Sequence, residues 1–233
     1  MSSASRGSDG PAAEFTERLL QLDDSRIRCF EAGAGKPVVV LHNDARTPSA
    51  LTSLLARLFR VIIFEIPGLD GTSTSGQPLS PRGLARVLVR ATAAAGLDRY
   101  ALISTSAGAP IALWHAVDAP ERIDALVMVS PVSLFSPGPG AESGAGGDSE
   151  LERKLVEIKA PALLLLGTED AVLPPETGRM YAERMANCYY VLVYDAGHEI
   201  GAERPEALFA AVRDFLERRE TFIVSRGNTA INP

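Results

Sequence analysis

A chain of 233 residues, 46% hydrophobic and 22% charged, has the composition of a folded globular protein, which excludes collagen-like and disordered classes and leaves ample chain for a core. A formal net charge of −6 with no Lys/Arg run excludes nucleic acid as a partner, because its recognition needs clustered basic charge. Apolar runs such as residues 162–166 fall far short of the roughly 20 residues of a membrane-spanning helix, so no membrane span is expected.

Residues 1–13 are rich in Ser, Gly and Ala, with neither an apolar stretch nor a basic cluster. They read as a disordered tail rather than a leader or anchor, which points to a cytoplasmic protein. Residues 17–22 and 27–31 read as the strands of a hairpin turning at Asp23-Asp24-Ser25. Gly33-Ala34-Gly35-Lys36-Pro37 precedes a strand and lacks the spacing of a phosphate loop, so it is a turn. Residues 38–41 are a continuous apolar run, as in a strand buried on both faces, and end at His42-Asn43-Asp44-Ala45. Thr47 is read as the cap of a helix carrying Leu51, Leu54, Leu55 and Leu58 at i, i+3, i+4, i+7. Residues 60–65 form the next strand, followed by a long turn over 67–73, and Ser80-Pro81 opens a helix closed by Gly96.

Residues 100–114 pass from an apolar strand through Ser104-Thr105-Ser106-Ala107-Gly108 directly into an apolar-periodic helix. A strand that reverses into a helix within so few residues needs small side chains on both sides of its apex, and it lifts the Ser106 hydroxyl to the rim of the sheet. The amide of Ala107 and the first turn of the helix then favour a developing negative charge. Residues 125–130 form another buried strand. Residues 136–149 are Gly, Pro, Ser and Ala with little to bury, and read as a flexible loop. Short helical periodicity over 150–159, a strand over 162–166 ending at Gly167-Thr168-Glu169-Asp170, a helix over 177–185 and a strand over 189–194 follow. The turn Asp195-Ala196-Gly197-His198 leads to a last helix from Pro205 to Leu216. Residues 221–233 form a C-terminal tail whose Phe222-Ile223-Val224 suits docking on the core or on a second subunit, which leaves a homodimer open. The two cysteines, Cys29 and Cys188, fall in strands far apart and read as buried free thiols.

Strands alternating with helices over most of the chain predict a mainly parallel sheet with helices on both faces, within one domain over 14–220. Ligands of such sheets bind at the carboxyl ends of the strands, where His42, Ser106, Asp170 and His198 all stand. A serine hydroxyl needs a base, and the base an orienting acid. Of three histidines, His115 lies within the helix after Ser106, and His198 stands in a Gly-containing turn at the rim, so His198 is the expected general base. Asp170 is the expected acid, with Glu169 beside it and Asp195 near His198 as the other carboxylates in reach. Histidines and carboxylates are not spaced as a metal site, and no cofactor is expected.

These pieces resemble the α/β-hydrolase fold over about residues 17–219: the strand ending at His42, the run Phe64-Glu65-Ile66-Pro67-Gly68-Leu69-Asp70-Gly71, the turn at Ser106, Leu165 to Asp170, and Asp195 to His198 followed by Glu203-Arg204-Pro205. The resemblance implies an eight-stranded α/β sheet and a triad of Ser106, Asp170 and His198. It also implies an oxyanion hole made by the Ala107 amide and an amide of Asn43 or Asp44. Asn43 stands where the family usually has glycine, and Ser104 stands at the first glycine of Gly-x-Ser-x-Gly. About 30 residues separate Ser130 from Pro161, too few for the helical cap such proteins commonly carry, so an open site is expected. The resulting expectation is a serine hydrolase of carboxylic esters or thioesters acting on a small-molecule or acyl substrate. A cofactorless C–C hydrolase or lyase using the same residues, and a ligand-binding relative without catalysis, are the alternatives.

Overall fold

The computed structural model describes residues 13–23, 25–41, 47–66, 79–135 and 148–219, and the backbone of 229–231. β1 (Thr16–Gln21) and β2 (Arg26–Ala32) form the expected antiparallel hairpin, with Thr16 opposite Glu31 and Gln21 opposite Arg26. β2 also pairs antiparallel with β4 (Arg60–Phe64). From there every pairing is parallel: β4 with β3 (Pro37–Leu41), then β5 (Tyr100–Thr105), β6 (Ile123–Val129), β7 (Ala162–Gly167) and β8 (Cys188–Val193). The order β1-β2-β4-β3-β5-β6-β7-β8 is the eight-stranded, mostly parallel sheet the sequence predicts. A short ninth strand, β9 (Thr229–Ile231), continues it in parallel from β8. Part of the C-terminal tail therefore pairs with the chain's own sheet.

The sheet is covered on both faces. Side chains of successive strand residues point to opposite faces, so Leu102 and Met128 join one core while Ile103 and Val127 join the other. The first core is roofed by α2 (Pro81–Ala94), α3 (Ala109–Asp118), α4 (Ser149–Lys154) and α5 (Pro175–Arg184), through Leu88, Trp114, Leu151 and Tyr181. The second is roofed by α1 (Ala50–Leu55), α6 (Ile200–Glu203) and α7 (Pro205–Arg218), through Leu55, Ile200, Leu208 and Phe215. Each such side chain contributes roughly 1.5–3 kcal/mol on full burial. Among the described residues no helix is long and apolar enough to cross a membrane.

Three local expectations are corrected. The cap of α1 is Ser49, not Thr47: its hydroxyl accepts from the Thr52 amide at 3.2 Å and satisfies one of the donors left open at a helix start. The helix also ends before Leu58, which lies in the following turn and is half exposed rather than on a buried stripe. The loop read over 136–149 yields its last residues to structure. Asp148 caps α4 by accepting from the Leu151 amide at 3.0 Å, and it also accepts from the Trp114 indole at 2.8 Å. This anchors α4 against α3 rather than over the strand ends. Residues 136–147 lie outside the described residues.

Behind Ser106, α3 carries His115, fully buried. Tyr100 donates its hydroxyl proton to Thr92 at 3.0 Å, and Thr92 donates to the Val89 carbonyl at 3.0 Å. The imidazole Nε2 of His115, 2.6 Å from the phenol oxygen, therefore carries the proton of that bond. This is a buried core network, and it uses the histidine for packing. Burial pushes His115 down from 6.5 to about 4. As pH falls below 6.5 the unfolded chain takes up a proton that the native state refuses until about 4, so stability is complete above that window and is lost through it. We predict that the wild type loses about 3 kcal/mol more unfolding free energy between pH 7 and pH 4 than His115→Gln, as read from urea midpoints across that range. Parallel pH slopes for the two proteins would refute it.

Candidate active site

Three strand ends supply the site. At the end of β5, Ser106 adopts φ of +42°, a left-handed conformation that is strained for a residue with a Cβ. A 3₁₀ turn over Ser106–Gly108 then runs straight into α3. The turn is possible because its neighbours are small. A Cβ on Gly108 would stand 3.3 Å from Leu41 Cβ and 3.5 Å from Leu41 O, so the turn rests directly on β3. Ser104 also fits where glycine is usual: it is buried, with its hydroxyl turned sideways to donate to the Val127 carbonyl of β6 at 3.4 Å.

The second strand end is that of β7. Asp170 has a side chain with no exposure to solvent, and a buried carboxylate is costly unless hydrogen bonds replace its water. Its Oδ1 accepts from the amides of Val172 at 2.9 Å and Leu173 at 2.8 Å. The third is the turn after β8, which presents His198. Nδ1 of His198 lies 3.0 Å from Oδ2 and 3.2 Å from Oδ1 of Asp170, while Nε2 lies 3.5 Å from Ser106 Oγ. With its Nδ1 proton donated to the carboxylate, the imidazole aims a lone pair from Nε2 toward the serine hydroxyl. That last distance is at the outer limit of a hydrogen bond, a looseness usual before a substrate closes such a pair.

The structure thus brings Ser106, His198 and Asp170 into one chain of contacts. The other two carboxylates stay apart: Glu169 and Asp195 are exposed, and Asp195 instead meets Arg204 at 3.4 Å. Ala107 lies exposed in the turn after Ser106. His42, Asn43 and Asp44, with the turn over 67–73, lie outside the described residues. Among the described residues no cluster of three or more His, Cys, Asp or Glu could hold a metal. A cavity of about 400 Å³ opens beside Ser106 and His198, walled largely by Leu51, Val129, Ile200 and Leu208.

Several residues that hold the histidine turn in place were not singled out in the sequence. Thr168 donates its amide to Val193 O at 3.0 Å and accepts the Asp195 amide on its hydroxyl at 3.1 Å, and the Glu169 amide donates to Ala196 O at 2.9 Å. The acid and histidine turns are therefore laced together along their backbones. On the far side the Glu203 carboxylate accepts from the amides of Gly197 at 2.7 Å and Glu199 at 3.2 Å, the two residues flanking His198. Its position five residues beyond the histidine was visible, but its partners are backbone groups that sequence does not display.

Residues 36–145 match a family model described as alpha/beta hydrolase fold, and residues 143–221 match one described as TAP-like protein. The chain is 27% identical over 152 residues to a 2-hydroxy-6-oxo-6-phenylhexa-2,4-dienoate hydrolase of Comamonas testosteroni, covering 60% of this chain and 52% of that protein. It is 30% identical over 110 residues to a pimeloyl-[acyl-carrier protein] methyl ester esterase of Neisseria meningitidis serogroup A, covering 47% and 27%. The chain spans about half or less of the length of these curated relatives. In fold it is similar to the solved structure of a serine hydrolase involved in carbazole degradation, with a TM-score of 0.75 at 18% identity over 88% of this chain and all of that one.

Gly167, at the end of β7, measures how closely the two turns pack. A Cβ there would fall 2.1 Å from Ala196 O and 2.3 Å from Gly197 O. We predict that Gly167→Ala lowers the unfolding free energy in urea by about 1–3 kcal/mol, the usual cost of forcing atoms into a packed site. Gly201→Ala, whose added Cβ meets nothing nearer than 3.7 Å, should stay within about 0.5 kcal/mol of wild type. Equal effects of the two would contradict the packing described.

Proposed function

Because the chain belongs to the α/β-hydrolase superfamily, we propose that it is a serine hydrolase of carboxylic esters or thioesters, with Ser106 as nucleophile, His198 as general base and Asp170 as the orienting acid. The observation that carries this reading is the continuous contact from the buried Asp170 carboxylate through both nitrogens of His198 to Ser106 Oγ. His198 Nε2 takes the hydroxyl proton as Oγ bonds to the acyl carbon, and the carbonyl oxygen becomes an oxyanion. The amide of Ala107 and one in the segment of Asn43 and Asp44 would donate to it, at the positive end of α3. Collapse of that intermediate breaks the bond to the leaving group, which leaves with the proton from the imidazolium. Water, deprotonated by His198, then attacks the acyl group on Ser106 and releases the acid. Asp170 keeps the imidazole in the tautomer that these steps need and balances its charge when protonated. Only side chains, backbone amides and water take part.

A second reading, cleavage of a C–C bond next to a carbonyl by the same residues, is favoured by the likeness to the Comamonas dienoate hydrolase. The two readings share Ser106 and differ in substrate.

A fluorophosphonate probe tests the shared core. We predict covalent labelling at Ser106, mapped by peptide mass, and its loss in Ser106→Ala. Asp170→Asn should label at least a hundredfold more slowly, because it favours the wrong imidazole tautomer. A folded protein with Ser106 unlabelled would defeat the proposal, and p-nitrophenyl esters, acyl thioesters and a vinylogous 1,5-diketone would then separate the substrate classes for a protein that labels.

A further inference from the structure

Ser106 has a second serine beside it. Thr105 pairs with Val129 in the parallel register of β5 and β6, so Ser106 and Ser130 leave neighbouring strands side by side, roughly 5 Å apart at the usual strand spacing. The Val132 amide donates to Ser106 O at 3.3 Å and ties the two exits together. Ser130 also has φ of +42°, a conformation that glycine takes without strain. It is 3% exposed, and its amide is used, donating to Leu165 O at 2.9 Å. Among the described residues its hydroxyl has no hydrogen-bond partner.

A buried hydroxyl without a partner destabilises a fold, and native proteins keep few of them. Neither the backbone angle nor the packing at this position explains why the residue is serine. The cavity does supply a reason. Ser130 lines it together with Ser106 and His198; the walls from Leu51, Ile200 and Leu208 are apolar, and the polar lining residues Ser49, Thr105 and Glu199 make no hydrogen bond to its hydroxyl.

Building on the serine hydrolase reading, we propose that Ser130 is a specificity residue whose hydroxyl donates to an oxygen carried by the acyl group close to the reacting carbonyl. The favoured substrates are then acyl groups with a hydroxy, oxo or alkoxy oxygen two or three atoms from that carbon, over plain alkyl groups of the same shape. The oxygen belongs to the acyl side because the acyl group stays in the cavity through both half-reactions, whereas the leaving group departs after the first. A site built to donate to an oxygen discriminates against the analogue lacking it, since the donor is then left unpaired.

The test uses two esters of one shape, p-nitrophenyl methoxyacetate and p-nitrophenyl butanoate, in which an ether oxygen replaces a methylene. The ratio of their kcat/KM values is measured in wild type, Ser130→Ala and Ser130→Gly, so that the difference in intrinsic reactivity cancels. The methoxyacetate to butanoate ratio is expected to fall about tenfold in both variants, the scale of one such hydrogen bond. Ser130→Gly suits the left-handed backbone and keeps the measurement available if Ser130→Ala fails to fold. An unchanged ratio in a folded, active variant overturns the assignment of Ser130 alone. A wild type that turns over neither ester and leaves Ser106 unlabelled by fluorophosphonate overturns the hydrolase reading, and this inference with it.

Discussion

The site depends on one buried carboxylate. Asp170 has left water entirely, and what it receives in exchange is two backbone amides and an imidazole N–H. The amides come from Val172 and Leu173, so the same bonds that make burial tolerable also fold the turn after β7 around the carboxylate. The imidazole belongs to another strand end, so satisfying it orders the turn after β8 as well. Removing the carboxylate would leave three donors without their acceptor, the Leu173 amide among them in a buried bond, a larger disturbance than losing one hydrogen bond.

Around that pairing the sheet acts as a ruler. Parallel register sets β5, β6, β7 and β8 side by side, so residues far apart in sequence leave the sheet in a row. Lateral order is then converted into a site by packing too tight to slip. Gly108 rests on β3, Gly167 lies against the carbonyls of Ala196 and Gly197, and Glu203 holds the amides on both sides of His198. Small residues and backbone hydrogen bonds, rather than large side chains, fix the positions of the reactive groups. This suits loops that must be rigid yet lie at a solvent-exposed rim.

What was legible in the sequence follows from the same physics. Strands buried on both faces leave unbroken apolar runs, such as Val38 to Leu41 and Ala162 to Leu166, and helices leave stripes, so the alternation of elements and the location of Ser106, Asp170 and His198 at strand ends could be read directly. Helix ends were less legible. Thr47 and Ser49 are both competent caps, and only the geometry that puts the Ser49 hydroxyl within reach of the Thr52 amide decides between them. Interactions made by backbone groups were invisible. Glu203 and Thr168 act on amides and carbonyls, which every residue has, and the unpartnered state of the Ser130 hydroxyl exists only once its surroundings are folded. A cap spelled by Asp148 was hidden too, because it sits at the end of a stretch whose composition alone suggests a loop.

The ninth strand changes how the molecule ends at its edge. Eight strands would leave β8 with a row of unpaired N–H and C=O groups, the kind of edge along which sheets of separate molecules join. With Thr229–Ile231 lying parallel along Val191 to Val193, part of that ladder is already occupied by the chain itself. The tail is therefore a stopper as well as a terminus. A second copy seeking to extend the sheet from this side would first have to displace a strand whose local concentration, set by its covalent tether, exceeds anything a free partner reaches in solution.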